Sequence, residues 1–137
     1  MATFTKFQKY ILSQMHGRIN CGTDTFKIAL TNTAPTAASD DELADITEIS
    51  YTNCSDRAIT TTSSTQTGGN YKLVLADKTI TASGGTVGPY RYVVIYDDTS
   101  TGDPLIGFYD LGSSTTLQDG DQDVFNLDET AGFLTAA

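Results

Sequence analysis

The segment 90–96, with the sequence YRYVVIY, most constrains what this chain can fold into. Its β-branched and aromatic residues favour an extended strand. Both faces of that strand are apolar: Tyr90, Tyr92, Val94 and Tyr96 share one face, and Val93 and Ile95 lie on the other with Arg91. Such a strand is typical of the centre of a sheet that is covered on both sides. An acidic stretch at 97–104 separates it from a second apolar run at 105–111, which predicts a hairpin with a long loop.

Shorter runs with strand character recur along the rest of the chain, separated by turn-forming residues. Apolar and polar residues alternate at 25–31 and at 71–75, and a polar segment at 51–70 is expected to form an exposed strand and a turn. The pattern predicts an all-β fold, a β-sandwich or jelly roll of about seven or eight strands, in a single domain over 25–137. The expected core consists of Phe26, Ile28, Leu30, Leu73, Leu75, Val94, Ile106, Phe108, Phe125 and Leu127.

The stretch that follows the first of these runs fits two interpretations. Ser39 and Glu42 have the spacing of a capping box, which predicts a single helical turn through Leu43 and Ile46. The same residues also fit an extended segment at 45–50.

Residues 1–24 are expected to form a short N-terminal helix or arm. Apolar residues recur there at separations of three and four, the spacing of one helical face: Phe4, Phe7, Tyr10, Ile11 and Met15. This face either docks on a partner or folds back on the chain's own sandwich and covers an open edge. In the first case, aromatic anchors inside a charged rim form the interface. Its residues are Phe4, Lys6, Phe7, Lys9, Tyr10, Ile11 and Arg18.

Charge is divided unevenly along the chain. The formal net charge is −9, yet residues 1–39 carry four basic side chains and one acidic side chain, a net of +3. Residues 40–137 carry four basic and sixteen acidic side chains, a net of −12. Neutralising phosphates needs a concentrated basic surface, so we expect no nucleic-acid partner. The basic N-terminal stretch suits an acidic protein surface instead.

Residues that carry catalysis or hold transition metals are scarce. His16 is the only histidine, so no Ser-His-Asp or Cys-His arrangement is indicated. Cys21 and Cys54 lack CxxC spacing and offer too few soft ligands for zinc, while a disulfide between them stays open. We therefore expect no enzymatic activity, no cofactor and no small-molecule substrate. We also expect no secretory leader and no membrane span, because no apolar run approaches the roughly 20 residues that a spanning helix needs.

Three aspartates resemble the start of a calcium-binding loop. Asp119, Asp121 and Asp123 have the alternating spacing that opens an EF-hand. The match then ends, because Val124 stands where the loop needs glycine and Thr130 stands where it needs a bidentate glutamate. Carboxylates in turns are normally solvated or bonded to nearby backbone. We therefore predict no metal site here.

Four stretches of the chain together resemble a family of small virion proteins of tailed bacteriophages. They are TDTFKIALTNTAP at 23–35, LADITEI at 43–49, GPYRYVVIYDD at 88–98 and DPLIGFYDLGSSTTLQDGD at 103–121. None of them is a catalytic motif. Residues 51–70 depart from the family pattern, which has a more glycine-rich segment at this place.

The resemblance implies a capsid decoration (cement) protein, which binds the outside of the assembled phage capsid and stabilises it. Its expected partners are the major capsid protein and a second copy of itself, with a dimer favoured over a trimer. Its expected location is the exterior of the virion, after synthesis in the host cytoplasm. The alternative is a receptor-binding or tail- or head-fibre-associated β module, which would use the polar loops at 51–70 and 97–104.

Overall fold

The computed structural model describes residues 3–127 and 134–136 of the chain. Its strands and its α-helix, in chain order, are β1 (Thr3–Lys6), α1 (Lys9–Met15), β2 (Phe26–Thr31), β3 (Ala58–Ile59), β4 (Thr61–Thr67), β5 (Asn70–Leu75), β6 (Lys78–Thr81), β7 (Val87–Asp97), β8 (Leu105–Leu117), β9 (Gln122–Phe125) and β10 (Leu134–Ala136). A 3₁₀ turn spans Leu43–Asp45. All strand pairs between these elements are antiparallel, and the predicted all-β class is confirmed.

The largest sheet has five strands in the order β1-β8-β7-β2-β3. The two long strands β7 and β8 form the predicted hairpin, and β8 continues past the predicted 105–111 to Leu117. As expected for a strand that is apolar on both faces, β7 lies inside the sheet. Val93 and Ile95 contribute to a hydrophobic cluster on one side, and Val94 and Tyr96 contribute to a second cluster on the other.

One prediction about this strand is wrong. Tyr90 was expected on the face of Tyr92 and Val94, but its buried ring belongs to the cluster of Val93 on the opposite side. The pairing of β7 with β8 shifts register between Tyr90 and Tyr92. Such a shift breaks the strict alternation of side chains along a strand and moves the residues beyond it to the other face.

Two smaller sheets complete the described part of the chain. One has the order β10-β5-β4 and the other pairs β6 with β9. Side chains from all three sheets meet in the larger hydrophobic cluster. All ten residues of the expected core are buried, as predicted. Ten strands are described where seven or eight were expected, because short pairings such as β3 and β10 carry little sequence signal. The layering of these sheets as a sandwich or jelly roll stays a prediction.

The helical turn, and not the extended alternative, forms in the stretch before β3. The 3₁₀ turn covers Leu43–Asp45, and Ile46 is buried under the five-stranded sheet in the second cluster. Its cap differs from the predicted pair: the carboxylate of Asp45 accepts the backbone N–H groups of Asp41 and Glu42, at 2.9 and 3.1 Å. These two hydrogen bonds hold the pKa of Asp45 below its ordinary value.

Candidate protein-binding surface

The first residues of the chain belong to the main sheet. Strand β1 pairs with β8 in a register that sets Thr3 opposite Asp110 and Lys6 opposite Gly107. A continuous helical face from Phe4 onward is therefore wrong, since helix α1 begins only at Lys9. The residues predicted as a separate arm supply an edge strand to the sheet, so they are not independent of the β-domain.

A glycine opposite β1 makes this pairing possible. The ring of Phe4 lies over Gly107, and a methyl group at that glycine would overlap the ring and the carbonyl of Thr5. The same ring packs against Tyr109 with 5.0 Å between centroids. Aromatic contacts across neighbouring strands stabilise a sheet, and a glycine leaves room for them. Phe4 is thus half-buried in a contact within the chain.

Two of the expected aromatic anchors lie in the protein's own interior. Phe7 is fully buried, its ring is 5.2 Å from that of Phe108, and its backbone N–H donates to the carbonyl of Ile106 at 3.0 Å. Tyr10 is buried on the inner face of α1, with its hydroxyl 3.9 Å from the thiol of Cys21. Burial raises the pKa of the Tyr10 phenol above its ordinary value. These side chains fit the second interpretation, in which the segment folds back on the chain.

The outer face of α1 is apolar and exposed. Ile11 is 51% exposed, Leu12 is 55% exposed and Met15 is 79% exposed. In the part of the chain that the structure describes, Val124 on β9 is the only other large apolar side chain exposed to this degree. Residues three and four apart on a helix are neighbours, so Met15 adjoins both Ile11 and Leu12. We call these three residues the α1 patch.

The α1 patch was only partly found from the sequence. Ile11 was expected in the interface and Met15 in the apolar stripe, while Leu12 was missed. A helix that begins at Lys9, and not at Phe4, would have placed Leu12 in the patch. With that start, Tyr10 and Ser13 form the buried inner face, and Leu12 then falls on the outer one.

The charged rim of the patch is smaller than expected. Lys6, at the end of β1, and Lys9, at the start of α1, are exposed, and the ammonium of Lys6 lies 5.8 Å from the centroid of the Tyr10 ring. Arg18 is instead bound within the chain: its guanidinium donates to Glu42 at 2.8 Å and lies 3.5 Å from Asp41. It therefore fastens the end of α1 to the loop before the 3₁₀ turn.

Asp97 is the only buried residue with an ionisable carboxyl group in the part of the chain that the structure describes. It ends β7 and is fully buried. Its Oδ1 atom accepts the N–H groups of Thr99 and Ser100, at 2.9 and 3.2 Å, whereas its Oδ2 atom has no hydrogen-bond partner. Burial and the neighbouring carboxyl of Asp24 raise the pKa of Asp97 to about 7. A nearby carboxyl and burial both disfavour the charged form of Asp97, so its protonated form is favoured in the folded chain.

The aspartates considered for a calcium site make hydrogen bonds within the chain. The three aspartates of the calcium-like spacing each accept a hydrogen bond: Asp119 from the N–H of Gly84, Asp121 from the N–H of Gln118 and Asp123 from the hydroxyl of Tyr90. Within residues 3–127 and 134–136, no group of three or more His, Cys, Asp or Glu side chains is placed to hold a metal ion.

The two cysteines and the histidine do not form a reactive cluster. Cys21 is buried and Cys54 is half-buried, and both are free thiols whose pKa is raised by burial. His16 is exposed at the end of α1. None of the described helices is long and apolar enough to cross a membrane.

Comparison of the chain with protein-family models, with curated proteins and with solved structures finds no match.

Proposed function

We propose that this chain is a structural virion protein without enzymatic activity, which binds the outside of a tailed-phage capsid and stabilises it. The observation that carries the proposal is the α1 patch, an exposed apolar surface on a short helix that is fixed to a rigid sheet. The four stretches that resemble small virion proteins give the class of partner, the major capsid protein.

The chemistry of the α1 patch fits an interface between proteins. Its exposed apolar side chains suit the apolar centre of an interface, and the exposed Lys6 and Lys9 favour an acidic partner surface. Met15 is unbranched and polarizable, so it adapts to an irregular partner surface. The fixed inner face of α1 lowers the entropic cost of binding, because the helix is already formed.

The proposed stabilisation follows from linkage. A protein that binds the assembled lattice and not the free capsid subunits shifts the equilibrium toward the lattice, by an amount that grows with its concentration relative to the dissociation constant. Each copy contributes little. A standard interface buries on the order of 1,600 Å², which the α1 patch alone does not reach, so neighbouring surface of the sheet takes part.

Binding to undecorated phage heads tests the proposal. We expect Leu12→Asp and Met15→Asp to weaken co-sedimentation with the heads at least about 10-fold, because each places a charge in a desolvated contact. Val124→Asp is the matched control, since it makes the same chemical change at an equally exposed apolar residue on β9. We expect Lys9→Ala to act mainly on the association rate and its salt dependence.

The location of the bound protein separates the proposal from its alternative. In negative-stain images of virions carrying a labelled copy of the chain, we expect label over the whole head. Label confined to the tail tip would support a receptor-binding module instead. If the parent protein, Met15→Asp and Val124→Asp co-sediment equally, the α1 patch is not part of the interface.

A further inference from the structure

Among the described residues, strand β4 has one long edge that is not paired with another strand. It has the sequence TTSSTQT, ends the β10-β5-β4 sheet, and pairs only with β5 among the described residues. A two-residue turn, Gly68 and Gly69, joins it to β5, with Thr67 opposite Asn70. In such a hairpin the pair next to the turn is hydrogen-bonded, and bonded and non-bonded pairs then alternate. The N–H and C=O groups of Ser64 and Gln66 therefore point away from β5, toward the open edge.

This edge lacks the devices that usually protect an edge strand. Charged residues, proline and bulges commonly block the pairing of exposed edges. No charged residue and no proline occurs between Arg57 and Lys72, and the only register shift of the β4 pairing lies at its start, between Thr61 and Ser63. The other edge strands that the structure describes are shorter, with two residues in β3, three in β10 and four each in β1, β6 and β9.

The charge of the chain limits where two copies of it can approach each other. With a net charge of −9, two copies repel each other wherever their acidic surfaces meet. The neutral, Thr- and Ser-rich edge of β4 is a place where two copies approach without bringing like charges together. Thr and Ser side chains also form favourable pairs across neighbouring strands.

We propose that β4 pairs antiparallel with β4 of a second copy of this chain, about a twofold axis at Thr65. In this register Ser64 lies opposite Gln66 of the second copy, and the reverse pair is equivalent. The two pairs exchange four backbone hydrogen bonds, and the two Thr65 side chains face each other across the axis. The two three-stranded sheets become one six-stranded sheet, which is a closed, isologous contact.

The proposed dimer is weak and needs no capsid. One strand pair buries much less than the 1,200–2,000 Å² or so of a stable interface, so we expect a dissociation constant on the order of 10–100 μM. Sedimentation-velocity runs of the full chain over a concentration series measure it. A monomer at every concentration up to about 1 mM would overturn the proposal.

Cysteine cross-linking tests the register of the pairing. We expect Thr65→Cys to form a disulfide-linked dimer under mild oxidation, because the two residues at the axis lie directly opposite each other. Thr67→Cys is the matched control. It is exposed on the same face of β4, but its counterpart in the second copy is four residues away along the strand, roughly 13 Å. Equal cross-linking at both positions, or none at Thr65→Cys, would contradict the twofold axis at Thr65.

A proline substitution tests the backbone pairing itself. Gln66→Pro removes an N–H group that faces the open edge and leaves the ladder with β5 intact. We expect it to raise the dimer dissociation constant at least about 10-fold, with circular dichroism and melting temperature showing a folded monomer. Gln66→Ala is the control, since it also removes the side-chain contact with the N–H of Gly69 but keeps the backbone donor. If Met15→Asp abolishes the dimer and Gln66→Pro does not, the dimer forms through the α1 patch and the β4 pairing is wrong.

Discussion

Replacing Asp97 by Asn offers a direct test of the electrostatics of this fold. The Asp97 carboxyl is fully buried at the end of β7, with Oδ1 bound to two backbone N–H groups and Oδ2 left without a partner beside Asp24. An Asn side chain keeps the acceptor at Oδ1. Its amide nitrogen takes the place of Oδ2 and is uncharged at every pH. The variant therefore imitates the protonated form of Asp97.

The sign of the effect follows from the direction of the pKa shift. The pKa of Asp97 is about 7 in the folded chain, against 3.8 for an unperturbed carboxyl. Between these values the folded state holds a proton that the unfolded state has released, so the free energy of unfolding falls as the pH rises from about 4 to about 7. Each pKa unit corresponds to about 1.36 kcal/mol, which sets an upper limit of roughly 4 kcal/mol for this loss. We expect a loss of about 2–4 kcal/mol.

The assay is chemical denaturation of the parent protein and of Asp97→Asn at intervals between pH 4 and pH 8. We expect the two free energies of unfolding to converge near pH 4 and the variant to be more stable by about 2–4 kcal/mol at pH 8. Groups with lowered pKa, such as Asp56 and Asp110, lose their stabilising contribution on acidification. They are present in both proteins and cancel in the difference.

Asp98→Asn is the control for the change of net charge. It removes the same charge one residue further on, where the side chain is exposed and lies 3.3 Å from the ammonium of Lys27. We expect an effect within about 1 kcal/mol at all pH values. Parallel stability profiles for the parent protein and Asp97→Asn would refute the reasoning, because they would mean that the buried carboxyl does not change protonation in this range.

Three further predictions concern stability. Truncation of the core, by Val94→Ala or Phe108→Ala, is expected to cost about 1–5 kcal/mol in chemical denaturation, and unchanged midpoints would contradict their burial. Deletion of residues 1–18 is expected to abolish a cooperative thermal transition or lower its midpoint by more than 10 °C or so, since it removes β1 and the fully buried Phe7. A chelator is expected to leave the melting temperature unchanged, and a large decrease would point to a cation at Asp119–Asp123.

Much of the sheet architecture could be predicted from local pattern. Strand β7 carries apolar residues on both faces, which indicates a central position whatever its neighbours are. The alternation in β2 and β5 likewise identifies the side that faces the interior, so Phe26 and Leu73 are assigned to the core from sequence alone. The face of β7 on which Tyr90 lies was predicted wrongly, because the pairing of β7 with β8 shifts register next to it. A register shift depends on how two strands fit together, and one strand's sequence does not encode it.

The N-terminal segment shows where local pattern is insufficient. Apolar residues at separations of three and four fit a helix, but they fit a short strand followed by a short helix equally well. What decides between the two is a residue about a hundred positions away: Gly107 on β8 leaves the space that the ring of Phe4 fills. Because Thr3–Lys6 pair with β8, the helix starts after them, at Lys9. Its inner and outer faces then follow, and with them the exposure of Leu12.

The α1 patch and the β4 edge are proposed for different partners, but the same group of contacting polar side chains lies behind both. The hydroxyl of Tyr10, on the inner face of α1, lies 3.9 Å from the thiol of Cys21, and that thiol also interacts with the hydroxyl of Tyr71 on β5. The Tyr71 hydroxyl in turn lies 2.6 Å from Oγ of Ser64 on β4. Burial raises the pKa of each phenol and of the thiol, so this chain of polar groups stays uncharged within the core. Neutral side chains that hydrogen-bond to one another lose little free energy on burial, and these bonds restrict their rotamers. The inner face of α1 and the strand that carries the open edge are therefore held by the same side chains.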